Sequence, residues 1–258
     1  MKQIDLNADL GEGYGPWKIG DDAAMMRIVT SANIACGGHA GDNSTMFEAL
    51  TCAKENGVSI GAHPGFEDRE GFGRRRLPLT MAEVERLSAA QIGALCGVAA
   101  LAGAEVAYVK PHGALCNWAA EEADVADAIV RAIVAVMGQD AALLAISGTE
   151  LEKSGLRHGL RTYSEIFADR GYTPGGLLVP RGAEGAMIHD EAVATERLLG
   201  FFESGFMPTV GGDPVALKAH SICVHGDGPR ALDIAGNLRA ALEGAGHLVK
   251  PFALADPV

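Results

Sequence analysis

Positive charge and aromatic side chains are both scarce in this chain of 258 residues. Lysine and arginine total 21 against 33 aspartate and glutamate residues, which gives a formal net charge of -12. Because nucleic acids and anionic membranes attract basic surfaces, this charge argues against both partners. Aromatic residues make up only 5% of the chain, whereas hydrophobic residues make up 48%. That balance indicates a globular protein whose helices pack tightly on a sheet.

Disulfide patterns and export signals are also missing. The five cysteines show no paired spacing and no Cys-x-x-Cys motif, which favours a reducing compartment. The opening residues MKQIDLNADLGEG carry acidic side chains where a signal peptide would carry an apolar stretch. The most apolar helical stretch, residues 89–104, contains Gln91, and we expect it to be too short to cross a bilayer. The sequence therefore predicts a cytoplasmic protein.

Several familiar catalytic motifs do not occur. The chain has no GxxxxGK[ST] phosphate-binding loop, no GxSxG nucleophile elbow and no HExxH zinc motif. The glycine-rich segment GEGYGP does not match the GxGxxG pattern of dinucleotide-binding proteins. No pair of histidines has a recognised zinc-ligand spacing, so the sequence leaves metal binding open.

Short apolar runs alternate with helical patterns along the chain. Strands are predicted at residues 4–8, 32–36, 58–62, 106–111, 142–146, 160–166 and 221–224, with a less distinct run at 207–210. Seven or eight strands alternating with helices favour an α/β fold in the form of a (β/α) barrel, with an open doubly wound sheet as the competitor. Because no linker or change in composition interrupts the pattern, we predict a single domain over residues 1–258.

Capping residues mark the predicted helix boundaries. Thr80 and Glu83 match the capping-box pattern and precede an apolar helical face. Further helices are predicted from Asp42 or Asn43 to Gly57, from Asn117 to Gly138, and from Pro229 onward.

Four histidines occur directly after predicted strands, each with a glycine one or two residues later. They are His39 in SANIACGGHAGD, His63 in SIGAHPG, His112 in YVKPHGA and His225 in ICVHGDG. Since the carboxyl ends of parallel strands form one surface, we expect these four side chains to converge on one polar pocket. The other histidines lack this context and are predicted to be structural: His158, His189, His220 and His247.

Charged residues occupy similar strand-end positions. Lys110 and Glu165 lie in apolar strands, where burial is costly without a partner. We predict catalytic roles for Asp9, His39, His63, Lys110, His112 and Glu165. We predict substrate-binding roles for Asn7, Glu12, Asp42, Asp169, Arg170, Arg181, His225 and Asp227. The alternative role for Asp42 is to cap a helix. Residues 74–76 (RRR) are predicted to form a solvated loop, and their alternative role is to bind an anion.

Six ordered motifs give the chain a specific resemblance. DLNADLGEG, SANIACGGHAGD, GAHPGFEDREGFGRR, VKPHGAL, EIFADRGY and CVHGD together resemble the LamB/YcsF family of lactam-utilisation proteins. The likeness runs from residue 5 to about residue 230. Cys116 stands where the family usually has a tyrosine, which argues against a need for a phenol at that position.

The resemblance implies a distorted (β/α) barrel similar to the glycoside hydrolase/deacetylase superfamily. It also implies ATP-dependent opening of 5-oxo-L-proline to L-glutamate, in a complex with 5-oxoprolinase subunits B and C. Because the chain lacks a phosphate-binding loop, we expect ATP to be bound mainly by those partners. Deacetylases of this superfamily hold a metal with one aspartate and two histidines in an HxxxH spacing. In this chain the residue four positions after His39 is Asn43, where the HxxxH spacing has its second histidine. The metal ligands of the deacetylases therefore do not carry over to this chain.

The chemistry of lactam opening agrees with these residue types. Water attacks an unactivated lactam slowly, and phosphorylation of the carbonyl oxygen would make it a good electrophile. Attack then needs a general base, a proton donor for the ring nitrogen and cations for the developing charge. Two other functions stay open: a metal-dependent deacetylase or amidohydrolase acting without ATP, and a non-catalytic subunit that presents a lactam to its partners.

Overall fold

A ring of parallel strands forms the centre of the computed structural model, which describes residues 3–224 and 230–252. In chain order the strands are β1 (Gln3–Leu10), β2 (Ser31–Ala35), β3 (Ser59–His63), β4 (Tyr108–Val109), β5 (Ala142–Ile146), β6 (Arg161–Phe167), β7 (Phe206–Met207), β8 (Val215–Ala216), β9 (Ser221–Val224) and β10 (Leu248–Val249). The helices are α1 (Asp22–Met25), α2 (Asn43–Glu55), α3 (Met81–Ala102), α4 (Gly113–Glu121), α5 (Ala123–Met137), α6 (Glu150–Arg157), α7 (Glu191–Ser204) and α8 (Ala231–Gly244).

Seven strands close the barrel. Strands β1 to β6 pair in sequence order, and β9 pairs in parallel with both β6 and β1. Ser221 lies opposite Glu165 on one side and Asp5 on the other, so β9 joins the two ends of the sheet. Strand β10 only extends the start of β1. The predicted α/β barrel of seven or eight strands is confirmed.

The strand interiors are apolar because helices cover the barrel from outside. All residues of β2 and β5 are buried, as expected for parallel strands that are enclosed on both faces. Helix α5 packs Val125, Ile129 and Ile133 into the core. The capping box at Thr80 starts α3, and Asp42 accepts hydrogen bonds from two backbone amides at the start of α2, as predicted.

The run at residues 207–210 does not belong to the barrel. Only Phe206–Met207 is extended there, and it pairs antiparallel with Val215–Ala216 in a separate hairpin. The predicted strand at 106–111 is also shorter than expected, because only Tyr108–Val109 pairs with both neighbours. Beyond those residues the chain turns through Pro111, which has no backbone N–H to donate.

The predicted helix from Asn117 to Gly138 is two helices. Asn117 lies inside α4, which begins one residue after His112. The backbone at Glu122 is extended, with φ -119° and ψ 117°, and this residue separates α4 from α5. An early helix start fixes the backbone directly after His112, which sequence capping rules did not indicate.

The apolar helix is longer than expected. Helix α3 has 22 residues and is long and apolar enough to cross a membrane by length and composition alone. In the fold it packs between α2 and α5 and turns a buried face, which includes Val84, Ile92 and Leu95, toward the barrel. The expectation that this stretch is too short to span a bilayer was wrong, because the helix starts at Met81. The compartment itself stays a prediction.

Candidate active site

A cavity of about 240 Å³ opens at the carboxyl ends of the barrel strands. Its lining includes Asp9 from β1, His63 from β3, and Lys110 and His112 after β4. Ile146 and Phe167, which end β5 and β6, line it as well. Four of the six predicted catalytic residues therefore reach one cavity, because parallel strands bring their carboxyl ends to the same face.

Three of the four strand-end histidines lie together. The rings of His39 and His112 stack with centroids 3.6 Å apart, and His63 meets both rings edge to face. His63 Nε2 lies 3.0 Å from His112 Nδ1 and 3.3 Å from Asp9 Oδ2. Burial, and then the neighbouring His63, lower the pKa of His112 to about 3. His225 and Asp227 lie outside the described residues.

Two loops hold the histidines at this distance. Gly37 has φ +88°, which lets the chain turn sharply between β2 and His39. Gly73 has φ +62°, and an added Cβ would lie 2.7 Å from the Cβ atom of His39. Phe72 takes a positive φ of 54°, which is strained for a residue with a side chain, and its carbonyl oxygen lies 2.8 Å from His112 Nε2. These two glycines therefore permit close packing around the histidines.

Lys110 is the centre of a buried ionic group. Its Nζ atom lies 3.0 Å from Asp9 Oδ1 and 2.8 Å from Glu165 Oε1, and it donates to Asn7 Oδ1 at 3.2 Å. Burial alone would lower the pKa of Lys110, but Asp9 first, with Glu165 also contributing, raises it well above its ordinary value. Lys110 is therefore an ammonium ion held between two carboxylates.

Asp9 and Glu165 have different surroundings. Burial would raise the pKa of Asp9, but His63 and Lys110 hold it well below its usual range, so Asp9 is ionised at neutral pH. Burial raises the pKa of Glu165 despite its contact with Lys110. The Asp9 side chain is 12% exposed and lines the cavity, whereas the Glu165 side chain is 1% exposed and lies beneath it. Of the two carboxylates, Asp9 is the one that can meet a substrate.

Asn7 belongs to the layer below the cavity. Its amide donates to Glu165 Oε1 and Ser221 Oγ, and its Oδ1 atom accepts from Asn33 and Lys110. These contacts satisfy the polar atoms of a fully buried side chain. Asn7 was predicted to bind substrate, but the structure places it as a support for the ionic group.

Three arginine side chains also line the cavity. Arg74, Arg170 and Arg181 are all at its surface. Arg170 is buried and donates to the carbonyl oxygens of Ala186 and Val179. Burial, and then the nearby Arg181, lower the pKa of Arg170 to about 10. Arg74 was expected in a solvated loop, but it lies at the cavity surface. The sequence feature that could have indicated this is its position directly after GFG.

The remaining predicted binding residues are not all in this cavity. Asp42 caps α2, accepts a hydrogen bond from Gly15 N, and borders a separate surface hollow. Asp169 precedes Arg170 but does not line the cavity. Glu12 lies behind the histidines, with Oε1 at 3.1 Å from His39 Nε2. The Asp42 side chain accepts hydrogen bonds from three backbone amides, two of them at the start of α2.

One cluster in the described part of the chain has the composition of a metal site. One donor atom from each of Glu12, His39, His63 and His112 lies within 4.8 Å of the others. All four residues are buried. This set is distinct from the HxxxH spacing that the sequence lacks, because its members come from four separate segments.

Comparison with known proteins identifies the family. The LamB/YcsF family model matches residues 4–256. The chain belongs to the LamB/YcsF family. A protein of Azorhizobium caulinodans that is named as the A subunit of 5-oxoprolinase is 48% identical over 255 residues, which cover 98% of this chain and 100% of that protein. The crystal structure of a lactam utilization protein from Thermus thermophilus superposes with a TM-score of 0.89 at 40% identity, covering 96% of this chain and 99% of that one.

More distant structures share only the fold. A GH113 beta-1,4-mannanase superposes with a TM-score of 0.50 at 11% identity and covers 93% of this chain and 99% of that chain. This similarity shows a shared (β/α)-barrel fold, which is the fold that the sequence predicted.

Proposed function

We propose that this chain is the A subunit of an ATP-dependent 5-oxoprolinase, which opens the lactam ring of 5-oxo-L-proline to give L-glutamate. The observation that carries the proposal is a small cavity that is lined by an ionised carboxylate and by three arginines. The names of its relatives, a lactam utilization protein and the A subunit of 5-oxoprolinase, support the same substrate class.

The cavity suits a small anionic lactam. Its volume of about 240 Å³ is below the roughly 300–1,000 Å³ of pockets that enclose drug-sized ligands. We propose that the substrate carboxylate lies toward Arg74 and Arg181, since guanidinium groups bind carboxylates through paired hydrogen bonds. The lactam carbonyl then lies toward Asp9 and His63. So small a cavity leaves little room for a nucleotide, which supports ATP binding mainly on partner subunits B and C.

The proposed reaction has four steps. The terminal phosphoryl group of ATP is transferred to the lactam oxygen, and water adds to the activated carbon. The carbon–nitrogen bond then breaks and the nitrogen takes a proton, which leaves an acyl phosphate. A second water hydrolyses the acyl phosphate, so that phosphate leaves and the new carboxylate forms. Asp9 accepts a hydrogen bond from the attacking water and takes up its proton, because it is the ionised carboxylate at the cavity surface. Lys110 holds the Asp9 carboxylate in place.

The test is ATP-coupled glutamate release by the purified chain, with and without candidate B and C subunits. We expect full turnover only in the complete mixture, and little 5-oxoproline-dependent ATP hydrolysis by the isolated chain. Asp9→Asn should assemble normally and release glutamate at least about 100-fold more slowly. Full turnover by the isolated chain would contradict the proposal that subunits B and C bind ATP. Normal turnover by the Asp9→Asn complex would exclude Asp9 as the general base.

A metal-dependent amide hydrolase on the same barrel is the second candidate. The observation that favours it is the cluster of Glu12 with three histidines. Glutamate release that needs added metal but no ATP and no partner would select this function. A non-catalytic role as a lactam-binding subunit predicts instead that Asp9→Asn leaves turnover of the complex unchanged.

A further inference from the structure

Two ring nitrogens beside the cavity face each other with no donor hydrogen between them. His63 Nδ1 lies 2.6 Å from the Lys110 carbonyl oxygen, and His112 Nε2 lies 2.8 Å from the Phe72 carbonyl oxygen. A carbonyl oxygen only accepts hydrogen bonds, so both of these outer nitrogens carry the ring hydrogen. In neutral rings, His63 Nε2 and His112 Nδ1 then direct lone pairs at each other across 3.0 Å. That arrangement requires a cation close to both nitrogens.

A carboxylate stands next to the same nitrogens. Glu12 Oε1 lies 3.7 Å from His112 Nδ1, and one donor atom of Glu12 lies within 4.8 Å of one from His63. In a tetrahedral site with bonds of about 2.0–2.1 Å, neighbouring ligand atoms are roughly 3.3–3.4 Å apart. The separations of 3.0 and 3.7 Å fall on either side of that spacing. Small side-chain shifts would therefore bring all three atoms to bonding distance of one ion.

We infer that Glu12, His63 and His112 bind one divalent cation of the zinc type, and that His39 is a positioning residue for Glu12. The His39 and His112 rings are parallel within 2°, so their in-plane lone pairs run side by side and do not meet at one point. His39 Nε2 instead lies 3.1 Å from Glu12 Oε1, where it can donate. The inference goes beyond the proposed function, because it does not depend on the identity of the substrate.

Each proposed ligand has an outer partner. The Lys110 carbonyl oxygen fixes His63, the Phe72 carbonyl oxygen fixes His112, and His39 fixes Glu12. Metal-binding histidines commonly donate their second ring N–H to a backbone carbonyl in this way. Three protein ligands leave a coordination position for water or substrate, and His63 and His112 both border the cavity. A bound ion there would polarise a carbonyl group or lower the pKa of a bound water.

A single proton shared by His63 and His112 is the competing cation. It would explain the contact of 3.0 Å between the two rings, with Asp9 Oδ2 at 3.3 Å as the counter-charge. A shared proton would not account for the buried Glu12 carboxylate, which also lies beside His112. The third donor therefore favours a metal ion.

The experiment measures metal binding by the full chain without any activity assay. Protein stripped with a chelator is titrated with Zn²⁺ by calorimetry and with Co²⁺ by visible absorption, which reports a tetrahedral site through its d–d bands. We expect one ion per chain. Glu12→Gln and His112→Gln should each weaken binding by more than about 100-fold, and His39→Phe, which keeps the stacked ring, by about 10–100-fold. His158→Gln, which changes a histidine outside the cluster, is the matched control and should bind normally.

Circular dichroism and thermal melting of the stripped variants check that each is folded. Glu12→Gln preserves shape, so it tests the inference even if His112→Gln does not fold. Absence of stoichiometric binding by the unmodified chain would overturn the metal site and leave the shared proton. Equal binding by Glu12→Gln and the unmodified chain would also overturn it. Neither result depends on whether the chain is a 5-oxoprolinase.

Discussion

Asp9 is the residue at which the buried polar layer of the barrel meets the cavity. Its two oxygens contact different partners, with Oδ1 at 3.0 Å from Lys110 Nζ and Oδ2 at 3.3 Å from His63 Nε2. Below it, Asn33 donates to Oδ1 at 2.8 Å. Asp9 therefore acts together with these neighbours, and the effects of substituting any of them on folding must be separated from the effects on the site.

Arg74 can be tested against its neighbour in the same loop. Arg74→Gln should raise the KM for 5-oxoproline by about 10–100-fold, because a charged hydrogen bond contributes about 1.5–3 kcal/mol. Arg76→Gln is the control, since Arg76 pairs with Glu122 and lies over the Trp118 ring. Steady-state assays of the complete complex give both values. Equal KM values for the two variants would show that Arg74 does not hold the substrate carboxylate.

Lys110 needs a paired substitution. Lys110→Met leaves the Asp9 and Glu165 carboxylates without their ammonium partner, and we expect it to lower the free energy of unfolding by about 3–5 kcal/mol. Adding Glu165→Gln removes one buried charge and should restore part of that stability. If Lys110 also holds Asp9 for the reaction, the double variant stays at least about 100-fold less active. Near-normal turnover by the folded double variant would limit Lys110 to a structural role.

At the scale of elements, the barrel depends on close contact between β3 and β4. Gly61 in β3 lies beside the ring of Tyr108, a fully buried residue whose hydroxyl donates to Asn33 Oδ1 at 2.7 Å. A side chain at residue 61 would occupy the space of that ring. The glycine is therefore required by packing, although its φ is not in the left-handed region.

Two glycine substitutions test this contact. Gly61→Ala should lower the free energy of unfolding by about 1–3 kcal/mol or more, because the Tyr108 ring must move. Gly97→Ala in α3 is the matched control, since an added Cβ there meets no atom within 4 Å among the described residues. It should raise the free energy of unfolding by about 0.5–1 kcal/mol through helix propensity. Urea unfolding measures both, and a neutral Gly61→Ala would contradict the packing argument.

At the scale of the whole molecule, closure of the barrel buries a carboxyl group. Asp5 accepts hydrogen bonds from Thr30 and Ser31, at the start of β2, and from Ser221 in β9. It therefore links β1 to both of its neighbours in the ring. Burial, partly offset by these hydrogen bonds, raises the pKa of Asp5 from 3.8 to about 6.

This carboxyl group predicts a pH dependence of folding. Its pKa is higher in the folded than in the unfolded chain, so the folded state binds the proton more strongly. The stabilisation is complete below the unfolded pKa and is lost as pH rises from about 4 through about 6. Relative to Asp5→Asn, the unmodified chain should lose up to roughly 3 kcal/mol of unfolding free energy across this window.

The measurement is the unfolding free energy at several pH values between 3.5 and 7, chosen to bracket the two pKa values of 3.8 and about 6. Asp213→Asn, which removes an exposed carboxylate, is the control and should retain the pH dependence of the unmodified chain. Identical pH profiles for the unmodified chain and Asp5→Asn would show that Asp5 does not titrate across this range.

The sequence by itself determined the strand and helix alternation, the capping of α2 and α3, and the convergence of His63 and His112 on one face. These features follow from local rules: apolar periodicity, capping chemistry and the geometry of parallel strands. The family motifs added the barrel type. Local rules also indicated that Lys110 and Glu165 needed partners, although they did not say which ones.

Only the tertiary structure decided which charges meet. Asp9 and Lys110 are 101 residues apart in the chain, and their contact depends on the order in which the strands close. For the same reason Asn7 lies beneath the cavity, Arg74 faces it, and Glu12 joins three histidines from other segments. Spacing along a chain cannot reveal such contacts, because they arise from side-chain packing between elements that are distant in sequence.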